Sequence, residues 1–313
     1  MAQAIVFPGQ GSQFVGMGKE LADAFTVAKE VFLEVDDALS ENLSKKMFEG
    51  PAEDLLLTKN AQPALMAVSM AVVRVLQQEG KISLSKTFKY AAGHSLGEYS
   101  ALCASGAFDI AATARLLRTR GEAMQQAVPV GQGGMAALIG ADLDQAKAIA
   151  EEAAQGDVCV AANDNAPGQV VLSGTMAAID RAVEIAAEKG IKRAVKLTVS
   201  APFHSPLMQP AADVMGLALA ATEINVPRLP VIANVTARPV TEPAEIRELL
   251  VRQVTGSVRW RESMLFAQEN GVNTLVEVGA GKVLTGMAKR IHPELKGVAL
   301  NMPQDIEDFL KTL

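Results

Sequence analysis

Cysteine is nearly missing from this 313-residue chain, which has only Cys103 and Cys159. They stand far apart among apolar neighbours without metal-ligand spacing, so they read as small buried side chains and argue against a disulfide or redox pair. Histidine is almost as scarce, with His94, His204 and His292 as the full set. No grouping has the spacing of a zinc, calcium or iron site. The chain also lacks any run of the ~18 to 20 apolar residues that would cross a bilayer. A charged leader with a cleavage site is missing too, since Met1-Ala2-Gln3 passes directly into the strand-like Ala4-Ile5-Val6-Phe7. A cytoplasmic protein with no membrane partner is expected. Positive charge is short: 29 Lys and Arg face 35 Asp and Glu, for a net charge of -6. That argues against nucleic acid as a partner of the whole chain and leaves room for local basic patches. No internal repeat or low-complexity tract occurs.

Apolar material is plentiful, at 49% of residues against 20% charged, enough for a large core and ordinary for a globular enzyme. A single domain of this length would be large, so a body with an inserted unit is expected. Ala4–Phe7 reads as a strand, Gly18–Val35 and Pro63–Glu79 as helices, Phe88–Ala92 as a strand, with two more helices through Val128. This βα alternation predicts a mostly parallel sheet covered by helices. From Gly131 to Ser200 the rhythm changes. Strands at Gly133–Gly140, Val158–Ala162, Gln169–Ser173 and Arg193–Val199, with helices at Leu143–Ala154 and Met176–Lys189, give the order β-α-β-β-α-β of a ferredoxin-like unit. After Ala201 the α/β pattern returns, with strands at Val231–Asn234 and Thr274–Val278 and a helix at Lys282–Arg290. The reading is an α/β chain with a discontinuous body, residues 1–130 and 201–313, carrying an inserted small domain at 131–200. A ligand cleft is expected where the two meet.

Ala91-Ala92-Gly93-His94-Ser95-Leu96-Gly97-Glu98 fits G-x-S-x-G between a predicted strand and a predicted helix. A serine oxygen stands free at the top of a sheet only if the backbone turns sharply, and Gly93 and Gly97 remove the side chains that would clash there. The following helix points its free N–H groups at Ser95, where they stabilise negative charge on a bound carbonyl. The same residues also spell S-x-x-E, a capping box that would make Ser95 a mere helix cap. A cap needs neither glycine, and Gly97 would weaken the first turn by about 0.5 to 1 kcal/mol relative to alanine. Ser95 is therefore read as a nucleophile.

A hydroxyl requires a base at pH 7, usually histidine. His94 adjoins the serine, where the turn sends neighbouring side chains apart, so it is read as support for the corner. His204 lies in the turn-rich Ser200-Ala201-Pro202-Phe203-His204-Ser205-Pro206, directly after the expected insertion and so at the cleft. His292 follows the last predicted helix, and the triad histidine of α/β-hydrolases also comes late, after an acid that Glu277 could supply. A serine esterase or thioesterase is therefore the alternative. Against it, Pro293 and the charged Arg290, Glu294 and Lys296 mark His292 as a solvated helix end.

Four separated segments together resemble the malonyl-CoA:acyl-carrier-protein transacylase family: Phe7-Pro8-Gly9-Gln10-Gly11-Ser12-Gln13, Gly93-His94-Ser95-Leu96-Gly97-Glu98, Pro202-Phe203-His204-Ser205 and Val276-Glu277-Val278-Gly279-Ala280-Gly281-Lys282. The first is not a dinucleotide loop, since Phe14 stands where G-x-G-x-x-G needs its third glycine, and the last lacks the spacing and Ser/Thr of a phosphate loop. The resemblance implies a hydrolase-like body with a ferredoxin-like insertion. It also implies Ser95 as the acylated residue and His204 as its base, oriented by a backbone carbonyl at Gln253 in place of a carboxylate. By the same resemblance the N–H groups of Gln10 and Leu96 form the oxyanion site.

A malonyl group carries a carboxylate, which calls for a fixed cation, and the planar fork of arginine suits it. Arg115, Arg118 and Arg120 are all candidates by spacing, and the resemblance selects Arg120. Among the polyketide relatives that the chain resembles, a phenylalanine before the histidine goes with malonyl over methylmalonyl, so by resemblance Phe203 is a weak hint of that choice. No cofactor is implied, since malonyl-CoA is a substrate, and the partner is an acyl carrier protein in fatty-acid or polyketide synthesis. Carrier proteins are acidic, so the run Lys189, Lys192, Arg193 and Lys196 is a candidate docking patch, with a solvated strand edge as the plain alternative.

Overall fold

A computed structural model describes residues 2–199 and 201–313. Its strands, in chain order, are β1 (Ala2–Phe7), β2 (Phe88–Gly93), β3 (Gly133–Ile139), β4 (Cys159–Ala166), β5 (Gln169–Thr175), β6 (Arg193–Lys196), β7 (Val231–Ala233), β8 (Arg238–Val240), β9 (Val272–Val278) and β10 (Lys296–Leu300). They form two sheets. The larger has the order β10-β9-β1-β2-β7-β8, parallel throughout except for the β7/β8 pair. The smaller, β4-β5-β3-β6, is antiparallel.

The unbroken apolar run of β1 follows from its central place. Ile5 and Phe7 enter the main core on one face, while Ala4 and Val6 pack with Trp260, Met264 and Leu275 on the other, so neither face needs a polar residue. The helix Thr58–Gln78 is buried around most of its circumference, which explains why it shows no clear polar stripe. The small sheet has a core of its own. There Ala136, Leu138, Val170 and Leu172 meet Ile149, Ala150, Ile179 and Ala182 from the helices Leu143–Ala154 and Met176–Glu188. Its strand order and helix placement are those of a ferredoxin-like unit. Ser200, where the insertion is expected to end, lies outside the described residues.

Several expected elements differ in extent. Gly18–Val35 is two helices, Lys19–Ala24 and Thr26–Leu39, separated at Phe25, whose backbone is extended (φ -129°). The helix expected from Pro63 begins at Thr58, with Pro63 inside it. The strand expected over Arg193–Val199 stops at Lys196, and the released Leu197, Thr198 and Val199 line a cavity. Conversely β4 runs past Ala162 to Ala166, with register shifts on the way. Those added residues stitch the small sheet to the body. Asn163 bridges Val258, Asp164 pairs with Arg261 at 2.8 Å, and Asn165 meets His94 at 2.8 Å.

Because β1, β2, β7 and β9 are parallel, their carboxyl ends share one edge of the large sheet. The turns that leave them carry Gln10, Ser95, Asn234 and Gly279. The small sheet closes over that edge, and between the two is a cavity of about 440 Å³, in the crevice where open α/β sheets hold ligands.

Candidate active site

Ser95 stands at the corner between β2 and the helix Gly97–Ala104, in a left-handed conformation (φ 53°). The corner is possible because two glycines let backbone approach backbone. A Cβ on Gly93 would lie 1.8 Å from the Gly97 carbonyl oxygen, and one on Gly97 would lie 2.3 Å from that of Phe7. Asn234, at the end of β7, spans the corner. Its Oδ1 accepts from the Ser95 N–H at 2.8 Å and its Nδ2 donates to the Gly93 carbonyl at 2.7 Å. The capping-box alternative is not realised, for the Ser95 N–H goes to Asn234 and the serine oxygen faces a histidine.

That histidine is His204. Ser95 Oγ donates to its Nε2 across 2.8 Å. Nδ1 faces two carbonyl oxygens, of Gln253 at 2.9 Å and Gly256 at 3.1 Å, and a carbonyl can only accept. The proton therefore sits on Nδ1, leaving the Nε2 lone pair for the serine proton. His204 is also left-handed (φ 57°), a conformation that costs roughly 1 to 2 kcal/mol at a residue with a Cβ and is held here by the bonds at both ring nitrogens. Burial, and after it the Arg120 charge, push the ring down to about 3, so it is neutral and able to accept a proton at pH 7.

Arg120 projects from the helix Ile110–Gln126 and is 1% exposed. Its Nη1 donates to Gln62 Oε1 at 2.8 Å, and its Nη2 donates to Gln253 Oε1 at 2.8 Å and to Ser95 Oγ at 3.2 Å. Gly121 makes this reach possible, since a Cβ there would lie 2.5 Å from the Cα of Lys59 and push the two helices apart. Arg118 turns away to Glu41 and Asn60, and Arg115 is exposed. Structure thus separates three arginines that spacing left equivalent.

Gln10 and Leu96 line the same cavity as Ser95, Arg120, Phe203 and His204. Neither backbone N–H donates to a protein acceptor among the described residues, and the Gln10 side chain is engaged elsewhere, accepting from Thr58 at 2.8 Å. Two donors without protein acceptors thus line the cavity that holds Ser95.

Neither remaining histidine bonds Ser95, although His94 lines the cavity. His94 bonds Asn165 Oδ1 at 2.8 Å, against Trp260. His292 ends the helix Thr285–Ile291, where its Nδ1 accepts from the Glu294 N–H. Glu277 is buried at the start of that helix and accepts from the N–H groups of Leu284 and Thr285. It serves backbone, and no acid–histidine pair forms there. The basic run is partly spent, with Lys189 paired to Glu152 and Lys196 to Asp180. Sequence reasoning did not single out Asn234 or Gln62. A polar residue closing the apolar strand Val231-Ile232-Ala233 at its carboxyl end was the available signal for Asn234, and Gln62 had none.

A sequence profile described as an acyl transferase domain matches residues 4–305. The malonyl CoA-acyl carrier protein transacylase of Bacillus subtilis strain 168 is 46% identical over 99% of this chain and 96% of its own length. The chain belongs to the malonyl-CoA:acyl-carrier-protein transacylase family. Among solved members, an acyl-carrier-protein S-malonyltransferase from Bartonella henselae superposes with a TM-score of 0.97 at 56% identity, covering 100% of this chain and 99% of the other. Another, a malonyl-transacylase in complex with a holo type II PKS acyl-carrier protein, has a TM-score of 0.96 at 42% identity and full coverage of both chains. The transacylase family thus shares the two-sheet architecture, and the site lies within the matched residues.

Proposed function

We propose that this chain transfers malonyl from malonyl-CoA to the pantetheine thiol of an acyl carrier protein, through an ester on Ser95. The observation that carries the reading is a single oxygen with two partners: Ser95 Oγ meets the free lone pair of His204 at 2.8 Å and the buried guanidinium of Arg120 at 3.2 Å. His204 takes the serine proton as Oγ attacks the thioester carbonyl. The carbonyl oxygen becomes an oxyanion facing the N–H groups of Gln10 and Leu96, and the proton passes to the departing coenzyme A thiolate. The carrier thiol then reverses each step. Arg120 holds the malonyl carboxylate with paired N–H donors, and the Gln253 carbonyl fixes the histidine ring.

The division into a body at 1–130 and 201–313 and an insertion at 131–200 belongs to the same proposal, supported by the separate core of the small sheet. So does a cytoplasmic setting, in line with the finding that no described helix is long and apolar enough to cross a membrane. The test is direct. Intact-mass measurement after mixing with malonyl-CoA shows one added malonyl group, which Ser95→Ala abolishes and carrier protein discharges. Hydrolysis without transfer to the carrier would return the esterase reading.

A further inference from the structure

Glu98 takes no part in the chemistry outlined above, yet it is 1% exposed at the centre of the site. Its place three residues after Ser95 suggests a helix cap, but it makes no bond to the Ser95 N–H, which goes to Asn234. Instead its Oε2 accepts from the Asn234 backbone N–H at 3.0 Å and from Gln253 Nε2 at 2.8 Å. Each of these partners holds a working part. Asn234 pins the Ser95 corner by its side chain. Gln253 holds His204 by its backbone carbonyl and Arg120 by its amide oxygen, and its Nε2 also donates to the Ser95 carbonyl at 2.9 Å.

We propose that Glu98 is a positioning residue for acyl transfer: one buried carboxylate oxygen fixes Asn234 and Gln253 relative to each other, and through them the nucleophile, the base and the cation. The proposal rests on the transacylase reading. Placement matters here more than charge, because both bonds end on Oε2 and a proton on Oε1 leaves them intact. Burial, opposed by those hydrogen bonds, raises this carboxyl to about 7, where the protonated and ionised forms coexist. A glutamine can present the same acceptor oxygen at the same reach. An aspartate, one methylene shorter, keeps the charge and falls short of both donors.

The experiment compares Glu98→Gln, Glu98→Asp and wild type by malonyl transfer to carrier protein, with rates divided by the number of acylatable sites counted by burst mass spectrometry. Counting sites removes the effect of unfolded protein. Displacement of catalytic groups by about 1 Å costs about 100-fold in rate, so Glu98→Asp should lose about that much in kcat and lose preference for malonyl over acetyl donors. Glu98→Gln should stay within about tenfold of wild type and keep that preference. A Glu98→Asp variant with wild-type kcat per site, or a Glu98→Gln variant as impaired as Glu98→Asp, overturns the proposal. Wild-type protein that acquires no malonyl group refutes the transacylase reading itself, a separate result from either.

Discussion

Replacing Arg120 by alanine should change which acyl group the protein prefers. The guanidinium is buried and donates to Gln62, Gln253 and Ser95, so a malonyl carboxylate seated against it has exchanged water for that one cation. Removing one member of a buried ion pair costs about 3 to 5 kcal/mol, which at ~1.4 kcal/mol per factor of ten lowers kcat/KM for malonyl-CoA by roughly 140- to 4000-fold. Acetyl-CoA has no carboxylate to strand. It loses only the 3.2 Å bond to Ser95 Oγ, about 1 kcal/mol or fivefold. The malonyl-to-acetyl ratio should therefore fall by about 30- to 800-fold. Arg120→Lys should recover part of it, since an ammonium keeps the charge but not the fork. The assay is competitive transfer from the two donors to one carrier protein, with acyl-enzyme mass as a check on the first half-reaction. Equal losses for both donors would refute the clamp and make Arg120 a structural support of Ser95.

Three further outcomes follow from the same geometry. His204→Ala should slow Ser95 acylation by about 10²- to 10⁴-fold while His292→Ala leaves it within about twofold, measured by stopped-flow release of coenzyme A; the reverse order would restore the hydrolase triad. Asn234→Ala leaves the half-buried Ser95 N–H and the buried Gly93 carbonyl without their Asn234 partner, and should lower unfolding free energy by about 2 to 4 kcal/mol in chemical denaturation. Acidity acts on His204 and Glu98, two of the shifted groups, in opposite directions. His204 titrates at about 3 folded and 6.5 unfolded, so the unfolded chain alone takes up this proton and stability from His204 is lost as pH falls from 6.5 to 3. Glu98, raised from 4.5 to about 7, keeps its proton in the folded state and loses stability as pH rises from 4.5 to 7. Glu98→Gln should therefore gain on wild type by about 3 kcal/mol between pH 4.5 and 8, and parallel pH curves for the two proteins would contradict the assignment.

The fold was legible where periodicity and punctuation agreed. Ala4–Phe7 is apolar at every position because two cores cover it, and the order of elements from Gly133 to Lys196 marked the ferredoxin-like unit before any contact was known. Boundaries failed where tertiary contacts overrode local pattern. The extension of β4 to Ala166 carries Asn163, Asp164 and Asn165, poor strand formers that are held by Val258, Arg261 and His94 from far along the chain. At the site, Ser95 could be read from its glycines because a sharp turn leaves a local mark. His204 could be placed near it by its position after the insertion and by resemblance, and Arg120 could be chosen among three arginines only by resemblance, because the approach of another helix at Gly121 leaves no mark in the spacing. Asn234 and Gln62 act through long-range hydrogen bonds that no local spacing records.

Peptide carbonyls steady the imidazole here, in the place where many serine enzymes station an aspartate. A neutral anchor is a weaker partner for a protonated ring, yet it puts no carboxylate in hydrogen-bond contact with the base, whose Nδ1 meets only the Gln253 and Gly256 carbonyls. Swapping one thiol for another is nearly isoenergetic and expels a good leaving group, so a modest proton carrier suffices. An enzyme that must welcome a negatively charged cargo thus accepts a gentler base in exchange for a less repellent pocket.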